Sequence, residues 1–350
     1  MSLFIPIFIG LVILSTVGVA LFRILSKGNS RLLDKPNERS LHSEMKIRGA
    51  GIVIAVLVVL ALYLHLSTDG PRVNNDTMIL TSLIMIATIG FLDDLFSISA
   101  PSRFVVHLIA ASVFCLALPV FSVTDLWNGG WNSLPLSLVL LISILWISWS
   151  TNAFNFMDGA DGIAGLQSVV GGLGATGLGL MLDNPMIMWS GGVLAATSAG
   201  FLFHNWSPAK VFLGDVGSSF MGFIFGAIPV LVFASGGVSS SSEVPLIALC
   251  LAWPFYFDAT GTLLKRLRRR VKVWKPHREH GYQTMILAGS SHAAVATGYG
   301  VLSLIPVSFM LVGLRFESIF HILAALGLIF STAGMYVFSK HSRMIGNSED

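Results

Sequence analysis

Apolar runs broken by short polar or Gly/Pro stretches recur along the whole chain, at about 3–22, 51–67, 77–92, 104–121, 134–151, 163–182, 186–203, 218–235, 244–262, 293–312 and 318–338. A helix needs about 20 mostly apolar residues to cross a hydrocarbon core of roughly 30 Å, and these runs approach or reach that length. The pattern predicts an all-α, polytopic integral membrane protein of about eleven transmembrane helices. Residues 1–350 read as one integral membrane domain with cytoplasmic loops at 23–50, 93–103, 152–162, 204–217 and 263–292. The first run lacks a basic segment before it and a small-residue cleavage site after it, so it reads as a retained helix.

Charge placement orients this pattern. Only 11% of the residues are charged and 54% are hydrophobic, which excludes an ordinary cytosolic globular protein. Nineteen of the 21 Lys and Arg residues fall in loops that follow odd-numbered helices; Arg72 and Arg315 are the exceptions. Positive charge collects on the cytoplasmic side, so the N-terminus is expected outside and the C-terminus inside. The formal charge of +3 therefore reports topology, and no nucleic-acid partner is implied. Cys115 and Cys250 both lie in apolar runs and give no disulfide framework.

The outward connections look like turns, whereas the inward segments carry the polar chemistry. The third run ends in GFLDD, which sets Asp93 and Asp94 at the membrane boundary. Carboxylates there are costly and need compensation. In NAFNFMDGADG, residues 152–162, Asn152, Asn155, Asp158 and Asp161 recur every third position, predicting one polar side of a helix entering the sixth run. FHNWSPAKVFLGDVGSS, residues 203–219, joins Asn205 and Lys210 to Asp215 in a Gly-bracketed turn, a setting that suits Mg²⁺ with retained waters and substrate phosphate.

KPHREHGYQ, residues 275–283, brings His277, Arg278 and His280 together for phosphate binding or proton movement. The basic run ahead of it is explained by topology and anionic headgroups. DKPNERSLHSEMKIRGAG, residues 34–51, offers Asp34, Arg39, His42 and Arg48 in a loop punctuated by Pro and Gly. Five polar loops on one face point to Mg²⁺-dependent phosphate chemistry at the cytoplasmic surface, with the bilayer supplying an apolar acceptor.

In this order, DKPNERSLH, LDD, NAFNFMDGADGIAG, PAKVFLGDVGS and HREHGYQ resemble the polyprenyl-phosphate N-acetylhexosamine-1-phosphate transferases, glycosyltransferase family 4, from about Asp34 to Gln283. The resemblance implies transfer of a sugar 1-phosphate from a UDP-N-acetylhexosamine to undecaprenyl phosphate, with release of UMP, in a bacterial inner membrane protein whose active site faces the cytoplasm. Implied catalytic residues are Asp93, Asp94, His277 and His280. Implied substrate contacts are Arg39, His42, Asn152, Asn155, Asp158, Asp161, Lys210 and Arg278. Asp215, Asp94 and Asp158 would hold Mg²⁺, with Mn²⁺ as a substitute, and a homodimer is compatible.

The pentapeptide transferases of this family carry consecutive histidines in the last loop, whereas this chain has HREH, which disfavours a MurNAc-pentapeptide donor. HREHGYQ most resembles the lipopolysaccharide and O-antigen initiating enzymes that use N-acetylfucosamine, N-acetylquinovosamine or a related sugar, with UDP-GlcNAc also compatible. A single in-line displacement competes with a covalent intermediate on a carboxylate such as Asp94. Two other classes compete. A transporter would place carboxylates at mid-helix, yet Asp258 is the one acidic residue well within a run. An intramembrane aspartyl protease would leave the five inward loops without a role.

Overall fold

The computed structural model describes residues 4–34, 45–68, 73–121, 130–131, 134–238, 242–272 and 277–346. The helices are α1 Phe4–Leu25, α2 Gly51–Thr68, α3 Val73–Phe96, α4 Ala100–Leu116, α5 Leu136–Met157, α6 Ile163–Met181, α7 Pro185–Asn205, α8 Gly214–Ser235, α9 Glu243–Cys250, α10 Trp253–Arg268, α11 Gly281–Leu287, α12 His292–Arg315 and α13 Phe320–Gly346. Eight of them, α1, α3, α5 to α8, α12 and α13, are long and apolar enough to cross a membrane, and the bent pair α9–α10 would make nine. The helices α2 and α4 are apolar but shorter. The chain is thus an all-α, multi-pass membrane protein.

Each expected apolar run is helical, with one correction. The run at 244–262 is not a straight rod, because the chain turns by 91° between α9 and α10. Ala252 takes a non-helical conformation there, and Pro254 opens α10, where its missing N–H costs no helical hydrogen bond. The short α11 inside the last inward loop is a further difference from the run count.

Burial separates the helices by role. Apolar on all sides, α8 is buried along most of its length among α2, α3, α5, α7 and α9. At its middle Phe225 stacks on Phe154 of α5 with ring centroids 4.9 Å apart. By contrast α1 exposes Ile5, Ile9, Ile13 and Val17, and α13 exposes Ile322, Ile329 and Phe330. In water such a surface would be a liability; against lipid tails it carries no penalty.

One end of the bundle is sewn together by backbone. The first inward loop forms a two-residue antiparallel ladder, β1 Leu33–Asp34 with β2 Lys46–Ile47. Ile47, the last residue of β2, also bridges in parallel to Val211, just before α8. Phe212 N–H donates to the Ile47 carbonyl at 2.8 Å, Ala50 N–H to Phe212 at 3.1 Å and Gly51 N–H to Leu213 at 2.8 Å. The helices then meet without side chains between them: a Cβ on Gly51 would lie 2.3 Å from Gly217 Cα, and one on Gly90 2.5 Å from Val216 Cα.

A second anchor lies at the same end. Asp258 of α10 is buried and accepts Gly281 N–H at 2.8 Å, Tyr282 N–H at 3.2 Å and the Tyr299 hydroxyl at 2.6 Å. It thereby ties the start of α11 to α10 and α12.

Two outcomes follow from these contacts. Gly90→Ala forces α3 away from α8 and should cost about 1–3 kcal/mol, the usual range for overpacking, seen as a lower melting temperature in detergent. Asp258→Ala leaves buried N–H groups without an acceptor, at about 1–3 kcal/mol each. Hydrogen exchange should then accelerate in α11 while α8 stays protected.

Candidate active site

The inward motifs converge on a cavity of ≈ 430 Å³ at the sewn end of the bundle. One wall grows from the end of α3 and the start of α8. Asp94 is fully buried; its Oδ1 accepts Asp215 N–H at 3.0 Å and its Oδ2 accepts Val216 N–H at 3.1 Å. These are first-turn amides of α8, which have no partner within their own helix and sit at the positive end of its dipole. Gly214, at φ +79°, makes the turn; a Cβ there would lie 2.5 Å from Asp94 Oδ2. Arg48 closes the arrangement by donating from Nη2 to the Asp94 carbonyl oxygen at 2.7 Å.

Asp93 faces other partners. Its Oδ1 accepts Ile98 N–H at 2.5 Å and its Oδ2 takes Arg103 Nη1 at 2.5 Å. The same Arg103 nitrogen is 3.0 Å from Asp215 Oδ1, to which Asn155 Nδ2 also donates. Asn155 reaches Ser218 Oγ at 3.1 Å as well. Asp215 and Asn155 border the cavity, whereas Asp93 lies behind it.

The second wall comes from the turn between α5 and α6. The expected helical stripe is corrected here. Helix α5 ends at Met157, so only Asn152 and Asn155 share its last turns, and Asp158 and Asp161 lie on the following turn. The glycines of DGADG end the helix, Gly162 taking φ +78° before α6 begins. Asn152 faces away from the cavity, donating to the Ser148 carbonyl at 2.7 Å with His107 Nδ1 at 3.3 Å.

Asp161 Oδ2 accepts Ala209 N–H at 3.0 Å. Asn205 braces the same turn, accepting Gly162 N–H at 2.9 Å and donating to the Val211 carbonyl at 2.9 Å. Asp158 differs from both: among the described residues nothing donates to its carboxylate. Burial, with the nearby charges of Asp215, Asp94 and Asp161, pushes its pKa well above the usual carboxylate range.

The last loop is arranged differently from expectation. His277, Arg278 and His280 do not line the cavity. His280 is buried, its ring stacked near Phe156 and Tyr282 and its Nδ1 3.5 Å from Asp258 Oδ1. Burial, with His280 and Arg266 as positive neighbours, lowers the pKa of His277 to about 4. From this region Gln283 and His292 reach the cavity wall instead. Lys210 is exposed and outside the wall, and Arg39 and His42 lie outside the described residues. Sequence reading missed His292, and it counted Arg103 only as a topological charge.

Among the described residues no three His, Cys, Asp or Glu side chains sit close enough to hold an ion alone. Mg²⁺ needs no such set, using one or two carboxylates and completing its octahedron with water and substrate phosphates. Asp34, Asp94, Asp158, Asp161 and Asp215 line the cavity; both Asp94 oxygens and Asp161 Oδ2 already accept backbone N–H groups.

The family profile described as Glycosyl transferase family 4 matches residues 77–233. A probable undecaprenyl-phosphate N-acetylglucosaminyl 1-phosphate transferase of Bacillus subtilis (strain 168) is 30% identical over 266 residues, 74% of this chain and 71% of the relative. A decaprenyl-phosphate N-acetylglucosaminephosphotransferase of Mycobacterium leprae is 27% identical over 290 residues, again 74% and 71%. An undecaprenyl-phosphate alpha-N-acetylglucosaminyl 1-phosphate transferase of Yersinia pestis is 28% identical over 269 residues, 74% and 70%.

The raised Asp158 pKa has a testable sign. A carboxyl whose folded pKa lies above its unfolded value destabilises the fold as pH rises past the ordinary carboxylate pKa of about 4. Metal-free protein should therefore melt at lower temperature at neutral pH than near pH 5, and Mg²⁺ should restore the loss. Asp158→Asn should flatten that pH dependence and shrink the Mg²⁺-induced rise in melting temperature.

Proposed function

Because the chain belongs to glycosyl transferase family 4, the polyprenyl-phosphate N-acetylhexosamine-1-phosphate transferases, we propose that it moves an N-acetylhexosamine 1-phosphate from a UDP-sugar to undecaprenyl phosphate. UMP is the other product. The observation that carries this reading is one cavity bordered by Asp158 and Asp215, with Arg48 in its wall, at the end of a membrane helix bundle. The excess of positive charge on loops at that end supports a cytoplasmic active site in the inner membrane.

An oxygen of the lipid phosphate attacks the β-phosphorus of the UDP-sugar in line. A new P–O bond forms as the bond from the β-phosphorus to the bridging α–β oxygen breaks, and its electron pair leaves with UMP. The attacking phosphate is already ionised near pH 7, so no protein base is required. This agrees with Asp93, whose two oxygens are committed to Ile98 and Arg103.

Mg²⁺, held by Asp158 and Asp215, would screen the diphosphate charge and stabilise the leaving group; Mn²⁺ would serve similarly. Arg103 holds Asp215 in place through the ion pair at 3.0 Å, and Asn155 fixes the same oxygen. Arg48 braces Asp94 and presents positive charge to the cavity. Asp94 positions rather than reacts, which favours the single displacement. His280 acts from behind the wall, its backbone N–H donating to Gln283 Oε1 at 3.3 Å, with His277 and Arg278 beside it in the same loop. A homodimer does not enter this scheme.

The names of the relatives make UDP-GlcNAc the first donor to try, followed by UDP-N-acetylfucosamine and UDP-N-acetylquinovosamine. The product would start an O-antigen, lipopolysaccharide or related envelope glycan. Purified protein in nanodiscs with radiolabelled UDP-sugars, undecaprenyl phosphate and Mg²⁺ should release UMP and label the lipid; no release with any N-acetylhexosamine donor would sink the reading. Asp215→Asn should lower turnover at least about a hundredfold, the scale of lost electrostatic stabilisation, without lowering the melting temperature.

A further inference from the structure

His292 opens α12 and forms part of the cavity wall. Its Nδ1 lies 3.1 Å from the backbone nitrogen of Asp161 and accepts that N–H. An imidazole that accepts at Nδ1 is neutral and carries its proton on Nε2. The Nε2–H is then a donor, and among the described residues no acceptor meets it.

Two neighbouring side chains on this wall, Asp161 and Asn205, serve the protein's own backbone. Asp161 Oδ2 serves Ala209, and both ends of the Asn205 amide serve Gly162 and Val211. The side chain of His292 remains about a fifth exposed, at 18%, so its outer edge is open to the cavity. An uncharged N–H at this place can meet an acceptor oxygen without adding to the charge balance of the Asp158–Asp215 side. Asp161 N–H fixes the tautomer and hence the identity of the donor atom.

We propose that His292 is a substrate-binding residue that donates from Nε2 to an oxygen of the nucleotide part of the sugar donor. The assignment rests on the UDP-sugar reading above. It differs from a bracing role, in which His292 only holds the Asp161 turn through Nδ1, and two substitutions separate these roles. Asparagine places its carbonyl oxygen near the Nδ1 position and keeps the acceptor for Asp161, but it has no donor at the Nε2 position. Glutamine reaches the Nε2 position with an N–H and gives up the Nδ1 acceptor.

Binding of UMP to the purified full chain, by calorimetry in detergent, needs no turnover and is measured beside UDP-sugar kinetics. Expected for His292→Asn is a Kd for UMP and a KM for the UDP-sugar raised about fivefold, the weight of one neutral hydrogen bond, with kcat within about twofold. His292→Gln should recover most of that affinity. The reverse order, with Asn like wild type and Gln weakened, would show a brace and overturn the proposal, as would wild-type affinity in both variants. If wild type binds UMP but turns over no UDP-sugar, the transfer reading falls while the ranking of the two variants still decides His292. A wild type that binds no UMP overturns both.

Discussion

The carboxylate of Asp94 is the contact on which the site depends. An ionised group at the edge of a membrane is expensive to desolvate. Here it faces the two first-turn amides of α8, so its charge meets orphan donors and the positive end of a helix dipole. The same contact fixes the end of α3 against the start of α8. Through Arg48 and the Ile47–Val211 bridge it also includes the first inward loop. Motifs 46 and 121 residues away along the chain thereby meet at one residue, and Asp215 is left at the cavity edge because its own N–H is held.

Around that clasp the acidic groups divide by whether the protein satisfies them. Asp94, Asp93 and Asp161 each have donors supplied by the chain. Asp158 has none among the described residues, and the charges nearest to it are negative. Such a group raises the energy of the site, a cost that a bound cation would offset. The arrangement is preorganised for positive charge on one side and built of amides and an imidazole on the other, an asymmetry that suits a ligand with a charged end and a neutral end.

Much of the fold was legible because lipid imposes a simple rule: backbone groups must be satisfied within each crossing segment, so apolar runs become helices. The break at Ala252 was signalled only by Pro254, which a hydropathy window averages away. The three-residue spacing in NAFNFMDGADG suggested a helical stripe, and the two glycines that end α5 were the better guide. Asp94 is legible as half of a carboxylate pair at the membrane boundary, Asp158 by its three-residue spacing and Asp215 by its flanking glycines. His292 carried no local signal, since its meaning comes from Asp161, 131 positions earlier. The HREH histidines were conspicuous by type, yet His280 is buried against Asp258 and Phe156, and neither His277 nor His280 borders the cavity.

The right-angled joint between α9 and α10 has a consequence for the path of the chain. Helix α8 leaves the cavity end and α12 starts from it, so the chain between them must make one net return. At 1.5 Å per residue the eight residues of α9 advance about 12 Å and the sixteen of α10 about 24 Å, in perpendicular directions. Neither piece alone would cover a bilayer core of roughly 30 Å. The joint therefore counts as a single traverse whatever its tilt, returning the chain from the far end of α8 to the start of α12. The chain consequently comes back to the cavity end by way of α10, where Asp258 ties it to α11 and α12.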